Sequence, residues 1–241
     1  MRYLLCTLLC TTTLSAQSYL SQIIPKFESF TTPVLKAVAV ARSDSAIQFK
    51  FQSADFSIVQ SGELVQPLIT VRNNGKVVDQ ELIDASPFFP DAECHVVSFD
   101  ADHNGVDDLF ISFPYGLTGL NSNVDVIAAF FFFPDSSLKF VNLRSYYGGL
   151  DLFRDYERDG RYEYACINEV WSGSVEYDAV NLFSLNQGVF ANCTRSTPGF
   201  PIFVEKADSG PVVVKELPPS ITADWYLKRP DVLANTTQAS N

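Results

Sequence analysis

Two short acidic segments hold the residues best suited to chemistry. Asp100-Ala101-Asp102-His103-Asn104-Gly105-Val106-Asp107-Asp108 recurs 55 residues later as Asp155-Tyr156-Glu157-Arg158-Asp159-Gly160-Arg161-Tyr162-Glu163. Oxygen-bearing side chains fall at the first, third, fifth and ninth positions of both copies, and Gly at the sixth. Calcium is a hard cation that gathers about six to eight oxygens, so a site needs several carboxylates and carbonyls converging from one short segment. Acids at alternate positions of a loop turn inward, Gly allows the sharp bend, and the seventh residue offers its carbonyl. The expected ligands are therefore Asp100, Asp102, Asn104, the Val106 carbonyl and Asp108 in the first loop. In the second they are Asp155, Glu157, Asp159, the Arg161 carbonyl and Glu163. The cofactor expected is structural Ca2+, since the ligands are consumed in holding the ion. The competing reading is a pair of acidic turns, because Asp, Asn and Gly favour turns without any metal.

The elements that must carry these loops read as strands. From Val34 onward the chain consists of short runs rich in Val, Ile, Phe and Tyr, bounded by Gly, Asn, Asp and Pro. Gln48-Phe49-Lys50-Phe51 alternates like a strand with one wet face. Asn73-Asn74-Gly75 supplies the positive backbone angles of a tight hairpin. Ala128 to Phe133 is apolar without alternation, which points to a strand covered on both faces. The loop repeat extends into its flanks, and a period of this size is that of repeat architectures such as propeller blades. The fold class expected is all-β, with antiparallel four-stranded units, propeller-blade-like or stacked, and little helix. The organisation expected is a signal peptide over 1–18, a lead-in over 19–33 and one β-repeat domain over 34–228. Its units fall near 34–90, 91–145 and 146–197, with a partial unit over 198–228 and a disordered tail over 229–241.

Neither loop carries the bidentate Glu of an EF-hand at its twelfth position, where Ile111 and Cys166 stand, and neither precedes a helical pattern. The segments instead resemble the hairpin calcium loops of FG-GAP and VCBS-type repeat proteins, whose units carry D-x-D-x-N/D-G-x-x-D/E-Leu. Asp100 to Asp108 followed by Leu109 fits that pattern, while the second copy departs at Glu157, Glu163 and Tyr164. The resemblance implies an exported calcium-loop protein acting as a binding or structural module.

Composition narrows the remaining classes. The 241 residues carry a formal charge of -11, with 46% hydrophobic and 13% aromatic residues. Such a chain is too aromatic to be disordered, and too acidic to meet phosphates as a nucleic-acid binder. Met1-Arg2, the apolar run from Tyr3 to Leu14 and the small residues Ser15, Ala16 and Ser18 form the three parts of a secretory signal. That run is too short to span a bilayer, so the expectation is a secreted or periplasmic protein with no membrane span. Cys94, Cys166 and Cys193 remain after the signal, as one disulfide and a thiol or as three thiols.

No nucleophile elbow, zinc spacing, Walker loop or dinucleotide fingerprint is present. Cys94 and His95 are neighbours in a strand and point to opposite faces. No catalytic residue is assigned. The alternative function is a small secreted glycan-active hydrolase, for which two carboxylates about 5–10 Å apart suffice. Asp125, Asp151, Glu169, Glu176 and Asp178 lie outside the loops near Trp171, Tyr146, Tyr147 and Tyr177. The partners expected are an extracellular glycan or protein, with Tyr146 to Gly149 as contact loop, or further chains that cover open sheet edges.

Overall fold

The computed structural model describes residues 16–24, 27–43, 45–61, 66–83, 94–115, 124–146, 149–207 and 209–233. Residues 1–15, which make up most of the expected signal peptide, lie outside the described residues, as do Tyr147, Gly148 and residues 234–241. The fold is all-β: three antiparallel sheets follow one another along the chain. The first sheet takes β2 (Ala41–Ser43), β3 (Ala46–Phe51), β4 (Ala54–Ser61), β5 (Gln66–Asn73) and β6 (Lys76–Leu82), in that order. The second takes β7 (His95–Phe99), β8 (Asp108–Tyr115), β9 (Val124–Phe132) and β10 (Leu138–Tyr146). Its β7 edge is completed by β1 (Lys36–Ala37), contributed from ahead of the first sheet.

The third sheet runs β11 (Phe153–Arg154), β12 (Glu163–Ser172), β13 (Val175–Asn186), β15 (Ile202–Ala207) and β16 (Gly210–Val214). The short β14 (Val189–Asn192) pairs with the far end of the long β13. The strands of the expected partial fourth unit, β15 and β16, therefore extend the third sheet. β13 is twelve residues long, enough to pair with β14 along one half and β15 along the other.

Side-chain alternation explains the stacking. On β9, Val126, Ala128, Phe130 and Phe132 are buried together with Ile47, Phe56, Ile58 and Ile69 of the first sheet. The intervening Ile127, Ala129 and Phe131 are buried with Phe153 and Tyr164 of the third. The Phe56 and Phe130 rings meet edge-on at 5.2 Å on one side, and Phe110 and Phe153 at 5.5 Å on the other. β9 is thus the interior strand that its unbroken apolar run predicts. β3 instead buries Phe49 and exposes Gln48 and Lys50, because the outer face of the first sheet ends the stack.

The far face of the third sheet is covered by α1 (Ala16–Ile23). Leu20, Ile23, Ile24 and Phe27 fall at helical spacing, form one apolar stripe and are buried in the same cluster as Val180 and Leu182. Fully burying each of these side chains contributes about 1.5–3 kcal/mol. The lead-in therefore resolves into a helix and a 3-10 turn, Phe27–Ser29. At the other end, α2 (Ala223–Tyr226) and α3 (Pro230–Leu233) close the chain, with Pro230 buried. Of residues 229–233, expected to begin the tail, Pro230–Leu233 form a turn of helix. No helix among the described residues is long and apolar enough to cross a membrane.

Candidate functional site

Each acidic segment connects two consecutive, paired strands of a sheet, the first joining β7 to β8 and the second β11 to β12. They share one hydrogen-bond scheme. The Asp100 carboxylate accepts the amides of Asn104 and Gly105, each at 3.0 Å. Asp155 likewise accepts those of Asp159 and Gly160, at 2.9 and 3.0 Å. Asn104 accepts from Val106 at 2.8 Å, and Asp159 from Arg161 at 2.9 Å. Asp108 reaches back to the Ala101 amide at 3.0 Å, as Glu163 does to that of Tyr156 at 2.8 Å. Gly105 and Gly160 hold φ of +88° and +89°, a conformation that favours glycine. The sequence repeat is therefore a repeat of loop geometry.

The third position separates the copies. In the first loop, oxygens of Asp100, Asp102 and Asp108 all lie within 4.8 Å of one another. Both Asp102 oxygens are shut off from solvent and meet no donor at bonding geometry. Burial raises the Asp102 pKa, the Asp100 charge adds to the rise, and the nearby Asn104 and Gly188 amides only partly offset it. Burial likewise pushes Asp108 up to about 8, against the Phe132 and Ala101 amides that favour its ionised form. Three carboxylates converge there with no cationic side chain among them, an arrangement that a bound cation relieves. Asn104 lies beside them, its amide nitrogen donating to the Phe132 carbonyl at 2.8 Å.

In the second loop, Glu157 turns away and accepts the Thr197 hydroxyl at 2.6 Å. Among the described residues, no three acids of this loop converge as those of the first do. Glu163, pushed up to about 7 by burial, accepts the Tyr156 amide and, at 3.3 Å, that of Glu157. The lead-in straps the loop: the Asp155 amide donates to Thr31 O at 2.9 Å, and Arg158 lies over the Phe30 ring. The loops also touch each other, with the His103 and Tyr162 rings 5.2 Å apart.

A second polar cluster lies on the face of the third sheet that α1 covers. Glu169 stands directly across from Asp178 in the β12–β13 register, and Trp171 across from Glu176. Lys206 of β15 makes ion pairs with Glu169 at 2.7 Å, with Asp178 at 3.1 Å and with Glu176. Tyr19 of α1 donates its hydroxyl to Asp178. Sequence reasoning placed the three acids outside the loops but missed Lys206 and Tyr19. The hairpin turn at Gly173-Ser174 was the available signal, since it fixes which acids face each other. Of the five acids weighed there, Asp151 instead accepts the Gly149 amide at 3.2 Å, and the side chain of Asp125 lies outside the description. Cys94, Cys166 and Cys193 are free thiols. Burial raises all three, Cys94 to about 12 and Cys193 to about 11, so none is an activated nucleophile. Cys94 is buried and His95 exposed, as opposite faces require.

Set against known proteins, the chain matches no family model and no curated protein.

Proposed function

We propose that this protein is an exported calcium-binding β-repeat module with a binding or structural role outside the cell or in a periplasm. Calcium in the loop between β7 and β8 rigidifies the junction of the second and third sheets. One observation carries the reading: Asp102 directs two solvent-free oxygens, without a donor, into the space shared with Asp100 and Asp108. An uncompensated buried carboxylate is costly, and a hard cation with oxygen preference removes that cost. Asp100, Asp102, Asn104 and Asp108 would hold the ion, with the Val106 carbonyl as the further ligand the loop pattern supplies. The second loop, with Asp155, Asp159 and Glu163 in place and Glu157 held by Thr197, would take the ion more weakly or only after Glu157 swings inward. The FG-GAP and VCBS-type resemblance agrees with this assignment, and a glycan or protein is the kind of partner proposed.

Calorimetric titration of calcium into chelator-stripped protein tests the reading. Asp102→Ala with Asp108→Ala should abolish the tighter binding event. Unchanged binding by that variant would remove the assignment.

The glycan-active alternative gains one feature and loses another. Glu169, Glu176 and Asp178 do converge near Trp171, which is 55% exposed. Lys206 binds all three, however, and none of the three described cavities, of about 380, 530 and 380 Å³, is lined by any of them. The binding-module reading is the better supported.

A further inference from the structure

Lys206 and Asp178 meet in an arrangement that exceeds what an ion pair requires. Their strands are adjacent and antiparallel, Asp178 standing across from Val204, so Lys206 lies two residues further along on the same face. Lys206 Nζ is 3.1 Å from Asp178 Oδ1. The Asp178 side chain has 0% exposure and that of Lys206 21%. Glu169 Oε1 lies 2.7 Å from the same nitrogen, Glu176 holds it from the side, and the Tyr19 hydroxyl donates to the opposite oxygen, Asp178 Oδ2. Nucleophile, electrophile, proton acceptor and oxyanion donor are thus all in place.

We propose that Lys206 and Asp178 condense into an intramolecular isopeptide bond that staples β15 to β13. Glu169 accepts a proton from the Lys206 ammonium and frees the nitrogen lone pair. Glu169 passes that proton to Asp178 Oδ1, Nζ attacks Asp178 Cγ, and negative charge develops on Oδ2, where the Tyr19 hydroxyl stabilises it. The tetrahedral centre collapses with cleavage of the Cγ–Oδ1 bond, and Oδ1 leaves as water. Of the three ammonium protons, one stays on the amide nitrogen and two depart in the water, one of them relayed through Glu169. Glu169 returns to its starting form, and no oxidant or other reactant is needed.

Two physical terms favour the product. Holding amine and carboxyl in contact replaces an encounter in water with an effective concentration of about 10⁵–10⁸ M. The condensation also replaces the fully buried carboxylate of the cluster with a neutral amide, while Glu169 and Glu176, which lose the Lys206 charge, stay open to solvent at 21% and 22% exposure. Burial already disfavours the charged form of Asp178, whose pKa is pushed up to about 6. The bond would lock two neighbouring interior strands of the third sheet, β13 and β15, in a chain whose described cysteines form no disulfide.

Peptide mapping by mass spectrometry of the purified full chain tests this. The expected result is a branched peptide joining the Asp178 and Lys206 segments, lighter by one water than its two parts. It should be absent from Lys206→Arg, and lost or formed at least tenfold more slowly in Glu169→Gln. Separate, unmodified Asp178 and Lys206 peptides from folded wild-type protein would overturn the proposal. A Glu169→Gln chain that cross-links as fast as wild type would overturn the assigned step.

Discussion

In the loop between β7 and β8 the third carboxylate points inward and meets no donor, whereas in the loop between β11 and β12 its counterpart reaches outward to a threonine. The two backbones are otherwise the same, down to the carboxylate that receives the fifth and sixth amides and the left-handed glycine. One side chain longer by a methylene, Glu157 in place of Asp102, can bridge to a neighbour that the shorter acid cannot reach. A duplicated loop thus carries two electrostatic states. The first is an open carboxylate group that needs a cation, and the second is partly satisfied by hydrogen bonds within the protein.

The ninth position should give the largest effects. Asp108→Ala leaves the amides of Ala101 and Phe132 buried without an acceptor, a loss of about 3 kcal/mol in chemical denaturation. Glu163→Ala should cost about 2 kcal/mol, because one of its two amide bonds is longer. Both losses should appear in chelator, but only that of Asp108→Ala should grow when calcium is added. Equal growth for the two variants would erase the distinction between the loops.

Acid should separate the loops in the opposite direction. Asp108, at about 8, and Glu163, at about 7, both have folded-state pKa values raised above their ordinary ones. Each contributes stability that is fully present below about pH 4 and is lost as pH rises through its folded value. In chelator the protein should therefore melt at a higher temperature at pH 5 than at pH 8. With calcium the Asp108 share should vanish, because the ion requires the ionised form. The Glu163 share should disappear in Glu163→Gln. A chelated protein whose melting temperature rises with pH over that range would contradict the burial argument.

Single substitutions at the third position should have smaller effects of opposite sign. Asp102→Asn removes an unpartnered charge and should stabilise the calcium-free protein by about 0.5–1 kcal/mol, a figure reduced for the water near the loop. The same change should weaken the calcium response. Thr197→Val should destabilise by about 1 kcal/mol through the lost hydroxyl bond, and should free Glu157 to strengthen calcium binding in the second loop. Destabilisation by Asp102→Asn in chelator would mean that the carboxylate has a partner in the protein.

Local pattern made the loops and the stacked strands legible in the sequence. Gly105 and Gly160 mark the bends, and Asn74-Gly75 marks a hairpin in which Asn74 holds φ of +50° and Gly75 of +75°. The unbroken apolar run of β9 announced a strand covered on both faces. What was not legible depends on long-range contacts. Glu157 is diverted by Thr197, forty residues further on, and nothing near Glu157 signals it. Lys206 and Tyr19 meet Asp178 from separate elements, 28 and 159 residues away in the chain. β15 and β16 join the third sheet because β13 is long enough to offer a free half, a property of pairing rather than of their own residues.

Thermal unfolding shows which of the two loops holds the ion. Wild type, Asp102→Ala and Glu157→Ala would be melted in excess calcium, in magnesium and in chelator. Ligand that binds only the native state stabilises it by about 2.7 kcal/mol at a hundredfold excess over Kd. A calcium-specific rise in Tm is expected for wild type and Glu157→Ala, and none for Asp102→Ala. No rise in wild type, or a rise that survives Asp102→Ala and is lost in Glu157→Ala, would contradict the placing of the ion in the first loop.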